Sequence, residues 1–212
     1  MTIEKLYILL TYIAIASIFV PISVALYKRK AFNIQLRALL VYMIVYAIFD
    51  ITNHILTIYR INNCALFNIF TCVEFMLLLF IYIQELQIKQ KLSIFLSFVI
   101  PLLFIASIEF SFTDPSNITS GIVAVIMMGF SVFYFLKIFL DLTIPKLTNY
   151  YFFWLNSGVL IYFAAPFILS LFEKHIRDDD SQASFFLWAI QLFTNLIYST
   201  VLTIGVCKIK RT

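Results

Sequence analysis

The chain has 212 residues, 63% of them hydrophobic and only 12% charged, about half the charge of a soluble domain, where Asp, Glu, Lys and Arg make up roughly 25%. That balance excludes a water-soluble globular fold, and the formal net charge of +4 is accounted for by membrane topogenesis and attraction to anionic lipid without any nucleic-acid partner. Because a spanning helix takes about 20 apolar residues, helices and short loops fill the length, which predicts an all-α polytopic membrane protein with one transmembrane domain over residues 1–212.

Seven apolar segments follow one another. The first, residues 6–27, has neither a basic stretch ahead of it nor a small-residue cleavage site, so it reads as a helix rather than a signal peptide. Pro21 falls inside it and predicts a kink. After the basic loop KRKAFNIQLR comes the second segment, residues 38–59, in which Asp50, Asn53 and His54 stand at i, i+3 and i+4 and so share one helix face. The short linker RINNC makes the third segment, residues 65–83, its antiparallel neighbour. If Arg60 and Cys64 are level, Asp50 lies opposite Glu74, Asn53 opposite Thr71, and His54 near Thr71 and Asn68. Two carboxylates are then expected side by side, about 15 Å from the outer ends and near mid-membrane.

The fourth segment, residues 92–110, contains Pro101, and the fifth, residues 118–136, starts within the triplet Asn117-Ile118-Thr119, a glycosylation pattern that arises often by chance. The sixth, residues 151–172, opens on YYFFW, an interfacial aromatic belt, and carries Asn156, Ser157, Tyr162 and Pro166. The loop EKHIRDDDSQAS follows, and its run Asp178, Asp179 and Asp180 reads as solvated charge rather than as a cation site. The seventh, residues 185–206, aligns Trp188, Gln191, Asn195 and Tyr198 at spacings of three and four.

With seven spans, eleven of the fifteen Lys and Arg residues fall on one side, among them Lys28, Arg29, Lys30, Arg37, Lys208, Lys210 and Arg211. The positive-inside rule then puts the N-terminus outside and the C-terminus in the cytoplasm. Four glycines in the whole chain, with no G-x-x-x-G, predict packing by bulky Phe, Ile and Leu and few close backbone approaches. The cysteines, Cys64, Cys72 and Cys207, form no disulfide framework.

If the helices close as a ring, the polar faces converge on an interior cluster of Asp50, Asn53, His54, Glu74 and Asn195, flanked by Thr71, Gln191 and Tyr198. A centred aspartate costs roughly 3 kcal/mol on insertion scales, so such groups face the interior and pair, and they mark functional sites by default. The cluster can fix helix register, or it can bind a ligand or a proton. No cofactor is expected. The seventh segment has no lysine for a retinal Schiff base, and only His54 lies within a span, so a three-histidine zinc site cannot be assembled. No G-x-S-x-G, H-E-x-x-H or phosphate loop occurs, and no enzyme activity is expected.

The stretches TCVEF (residues 71–75), FFWLNSG (152–158) and FTNLIYS (193–199) give the chain a pattern that resembles small bacterial seven-helix membrane proteins of unknown role. The resemblance implies a seven-helix bundle in a bacterial inner membrane and, since some such proteins are thought to accompany sensor kinases, a signalling partner. Two functions stay open on these grounds. One is a receptor or sensory module that takes a small ligand or ion and acts through a separate protein docked on the basic inner loop and tail. The other is a proton- or ion-coupled transporter using Asp50, Glu74 and His54 as a relay.

Overall fold

The computed structural model describes residues 3–88, 117–141, 146–171 and 181–209. Every element among them is helical: α1 (Ile3–Ser17), α2 (Phe19–Lys28), α3 (Ile34–Ile58), α4 (Cys64–Leu86), α5 (Asn117–Asp141), α6 (Tyr151–Leu171) and α7 (Ser181–Lys208), with 3-10 turns at Arg29–Ala31 and Leu147–Asn149. Taking α1 and α2 as one broken span, six helical stretches among the described residues are long and apolar enough to cross a membrane. The chain is a polytopic helical membrane protein by length and composition. The fourth predicted segment, residues 92–110, lies outside the described residues, as do His175 and the aspartates at 178–180.

The element boundaries follow from local chemistry. Pro21 has no N–H to close onto the Ser17 carbonyl, and its ring crowds that carbonyl, so the first span breaks between Ser17 and Phe19. The Ser17 hydroxyl donates to the Ala14 carbonyl at 2.7 Å beside the break. Helix α3 starts four residues before the predicted edge because Asn33, in extended backbone, caps it: its Oδ1 accepts from the Leu36 N–H at 2.9 Å.

The same helix ends in a Schellman motif. Arg60 takes a left-handed φ of 54°, its N–H donates to the Thr57 carbonyl at 3.1 Å, and the Ile61 N–H reaches the Leu56 carbonyl at 2.9 Å. Helix α4 stops in the same way at Gln87, with φ 51° and the Ile88 N–H donating to the Ile83 carbonyl at 3.2 Å.

The chain divides into two compact units. Within the unit of Phe32–Thr119, α3 and α4 form an antiparallel hairpin. Its seam is aromatic: Phe49 stacks on Phe70 with centroids 3.8 Å apart and 8° between planes, Phe49 meets Phe67 edge-on at 5.4 Å, and Tyr46 meets Phe70 at 5.8 Å.

In the other unit, Met1–Ala31 with Ser120–Thr212, α7 packs along α6 and against α1 and α2. Helix α5 lies on α6 through the Asn156 Nδ2 donating to the Ser131 carbonyl at 3.1 Å and through the edge-on pair Tyr134–Phe152 at 4.7 Å. Three glycines mark where helices come close. A Cβ on Gly158 would stand 2.9 Å from Cδ2 of Tyr198, and one on Gly205 would stand 3.1 Å from the Tyr151 carbonyl oxygen. A Cβ on Gly121 would stand 2.8 Å from Cβ of Ser170. Glycine is scarce in this chain, but three of the four lie where helices touch, without any G-x-x-x-G spacing.

Candidate functional site: a carboxylate inside the α3–α4 hairpin

Glu74 lies midway along α4, ten residues below Cys64. It is 4% exposed, and Tyr42, fully buried on α3, donates its hydroxyl to Glu74 Oε1 at 3.0 Å. A buried carboxylate needs donors from the protein itself, and the Tyr42 hydroxyl supplies one from the neighbouring helix. Tyr42 also leans on Tyr46, centroid to centroid 6.2 Å.

This pair corrects the expected register. The contacts 42/74, 46/70, 49/67 and 53/63 form one ladder, in which each step along α3 is matched by an equal step back along α4. Tyr42, not Asp50, is opposite Glu74. The offset of eight residues corresponds to about 12 Å of helix. Its cause is the Schellman turn: after Arg60 the chain folds back beside the last turn of α3, so that Asn63 already meets Asn53 before α4 begins.

The sequence-derived residues therefore sort by depth. In the hairpin, the deeper level holds Glu74 with Tyr42. The outer level holds Asn53, whose Oδ1 accepts from Asn63 Nδ2, with Asp50 and His54 half-buried on the adjoining positions of the same helix. Thr71 is buried, and its hydroxyl returns to the Phe67 carbonyl at 2.9 Å within α4. Asn62 Oδ1 accepts from the Cys64 N–H at 2.9 Å and closes the start of α4.

In the other unit, Gln191 Nε2 donates to Asn195 Oδ1 at 3.0 Å along α7, both side chains half-buried. Tyr198 is fully buried and stacks on Tyr162 of α6 at 4.8 Å and 25°. Trp188, at the N-terminal end of the same stripe, is exposed. Among the described residues no group of three His, Cys, Asp or Glu side chains is placed to hold a metal ion.

Two residues escaped the sequence reading. Tyr42 was detectable in principle, since Tyr42, Tyr46 and Phe49 follow one another at helical spacing, but its role depends on the register. Lys28 gave no local signal: its Nζ donates to the carbonyls of Cys207 at 2.7 Å, Ile209 at 2.8 Å and Val206 at 3.3 Å, across 178 or more positions of sequence. It is thereby engaged with the end of α7 inside its own unit.

No protein-family model matches this chain, and no curated protein or solved structure matches it significantly.

Proposed function

We propose that the chain is a seven-helix membrane receptor or sensory module of a bacterial inner membrane, with its N-terminus outside, its C-terminus in the cytoplasm and no catalytic activity of its own. The observation that carries this reading is the hydrogen bond by which Tyr42 of α3 reaches a carboxylate buried midway along α4. Intramembrane carboxylates are costly and are kept for function by default, and a bond between Tyr42 of α3 and Glu74 of α4 lets the hairpin take two arrangements, bond made and bond broken. A small ligand or ion at the outer level, near Asp50, Asn53 and His54, acts on the same helix α3 that carries Tyr42. Bias of that two-state element is passed to a separate cytoplasmic protein.

A proton- or ion-coupled carrier is the second reading. It is less well supported, because Asp50 and Glu74 are separated by eight residues of register and the aromatic seam of Tyr46, Phe49, Phe67 and Phe70 occupies the interval. A relay needs donors and acceptors in steps of hydrogen-bond length.

Purified protein in liposomes loaded with a pH-sensitive dye separates the two. The receptor reading expects no proton flux under an imposed gradient, together with a change in α3–α4 distance between spin labels at the lipid-facing positions Ile48 and Ile69 when Tyr42 is replaced by phenylalanine. Flux that disappears in Glu74→Gln would establish the carrier instead.

A further inference from the structure

The end of the larger unit where α2 and α7 finish and α6 begins has a charge arrangement that the hairpin does not involve. The Lys28 ammonium has three N–H donors, and the three carbonyls of Val206, Cys207 and Ile209 lie within 3.3 Å of it. Val206 and Cys207 are in the last turn of α7 and Ile209 follows it directly, where the negative end of that helix dipole lies. Lys28 thus answers the helix end and draws the turn Arg29–Ala31 against it. Arg29 and Lys30, directly after Lys28, and Lys208, whose peptide sits within the captured carbonyls, are all exposed. With the helix end already neutralised, these three charges have no counter-charge among the described residues of α2, α6 and α7.

Their depth is set independently. The apolar spans Tyr7–Lys28 and Trp188–Lys208 both finish here, and the contact of Gly205 with the Tyr151 carbonyl and Trp154 Cβ puts the start of α6 level with the last turn of α7. Tyr27 is 70% exposed, and Trp154 donates its indole N–H to the Thr148 carbonyl at 2.9 Å. Tyr and Trp, rings with one polar end, are the side chains of the membrane–water boundary. The cations thus follow directly on the ends of two apolar spans, within reach of a lipid phosphate.

We propose that Arg29, Lys30 and Lys208 form a binding site for the headgroup of an anionic phospholipid, its phosphate taken by the Arg29 fork and the two ammonium groups, and that Lys28 is the positioning residue that assembles it. A zwitterionic lipid brings its own cation to the same place and is disfavoured. Inorganic phosphate shares the anion chemistry but lacks the acyl chains that hold a lipid at this depth.

The test uses the full chain in mild detergent, titrated with phosphatidylglycerol or phosphatidylcholine and followed by native mass spectrometry. Phosphatidylglycerol is expected to be retained at least fivefold over phosphatidylcholine. The combined Arg29→Gln, Lys30→Gln and Lys208→Gln variant is expected to lower it to the phosphatidylcholine level at an unchanged melting temperature, and each single variant to give a partial loss. Millimolar inorganic phosphate is expected not to displace the lipid. Equal retention of the two lipids, undiminished retention by the triple variant and by every single variant, or displacement by inorganic phosphate would each overturn the site. So would photocrosslinking in whole membranes from positions 29 and 30 that recovers a protein instead of lipid, which would return these residues to a signalling partner.

Discussion

Glutamine at position 74 would still present a carbonyl oxygen to the Tyr42 hydroxyl, which donates at 3.0 Å. Glu74→Gln is therefore expected to unfold with nearly wild-type stability in detergent. Glu74→Leu takes the acceptor away from a buried hydroxyl and should cost about 1–3 kcal/mol. Tyr42→Phe should fall in the same range, since the carboxylate then loses the donor that faces it from α3. Thermal melts of the three variants check the order. A second expectation follows from the register. Asp50 and Glu74 are eight residues out of step, so the effects of Asp50→Asn and Glu74→Gln should add within about 0.5 kcal/mol, as they do for sites more than 7–10 Å apart. A larger coupling energy in the double variant would mean that the two carboxylates share a proton or a partner after all.

At the scale of elements, the close contact of α6 with α7 gives a graded series. Gly158→Ala pushes a methyl to 2.9 Å from the Tyr198 ring and Gly205→Ala pushes one to 3.1 Å from a backbone oxygen; overpacking of this kind costs about 1–3 kcal/mol. Gly129→Ala meets nothing within 4 Å and should instead gain up to about 1 kcal/mol through helix propensity. Comparing the three melting temperatures tests the interface directly. The helices themselves were legible in the sequence, because runs of apolar residues bounded by charges report span length whatever the tertiary contacts. The α3–α4 register was not legible. It turns on whether Arg60 adopts φ 54°, and arginine carries no preference for the left-handed region that a reader could use. Nor did the low glycine count reveal where the glycines lie: Gly158 and Gly205 are single residues on different helices, without a repeat to mark them. Residue types at the candidate site were found because buried charge is conspicuous in an apolar chain, whereas Tyr42 looked like one more aromatic among twelve tyrosines.

For the molecule as a whole, the basic residues that cluster on one side of the seven-span reading set a topology. A reporter active only in the cytoplasm, fused after Thr212, is expected to give signal, and one active only outside is expected to stay silent. Reversed signals would invert the proposed direction of sensing. The membrane-spanning character is carried by six described helical stretches of 21 to 25 residues, long enough to cross a hydrocarbon core about 30 Å thick. Within its own unit the first span packs against α7, and α3 and α4 make up the hairpin of the other unit.

The Lys28 contact makes synthesis time a structural variable. Its carbonyl acceptors lie 178 to 181 positions downstream, and at the roughly 5–20 residues per second of translation they emerge about 10–35 s after the lysine. During that interval the α3–α4 hairpin already has both of its strands of chain, while α2 waits with a charged terminus and no helix end to bind. The contact that ties α2 to the end of α7 can therefore form only once nearly the whole chain has been made.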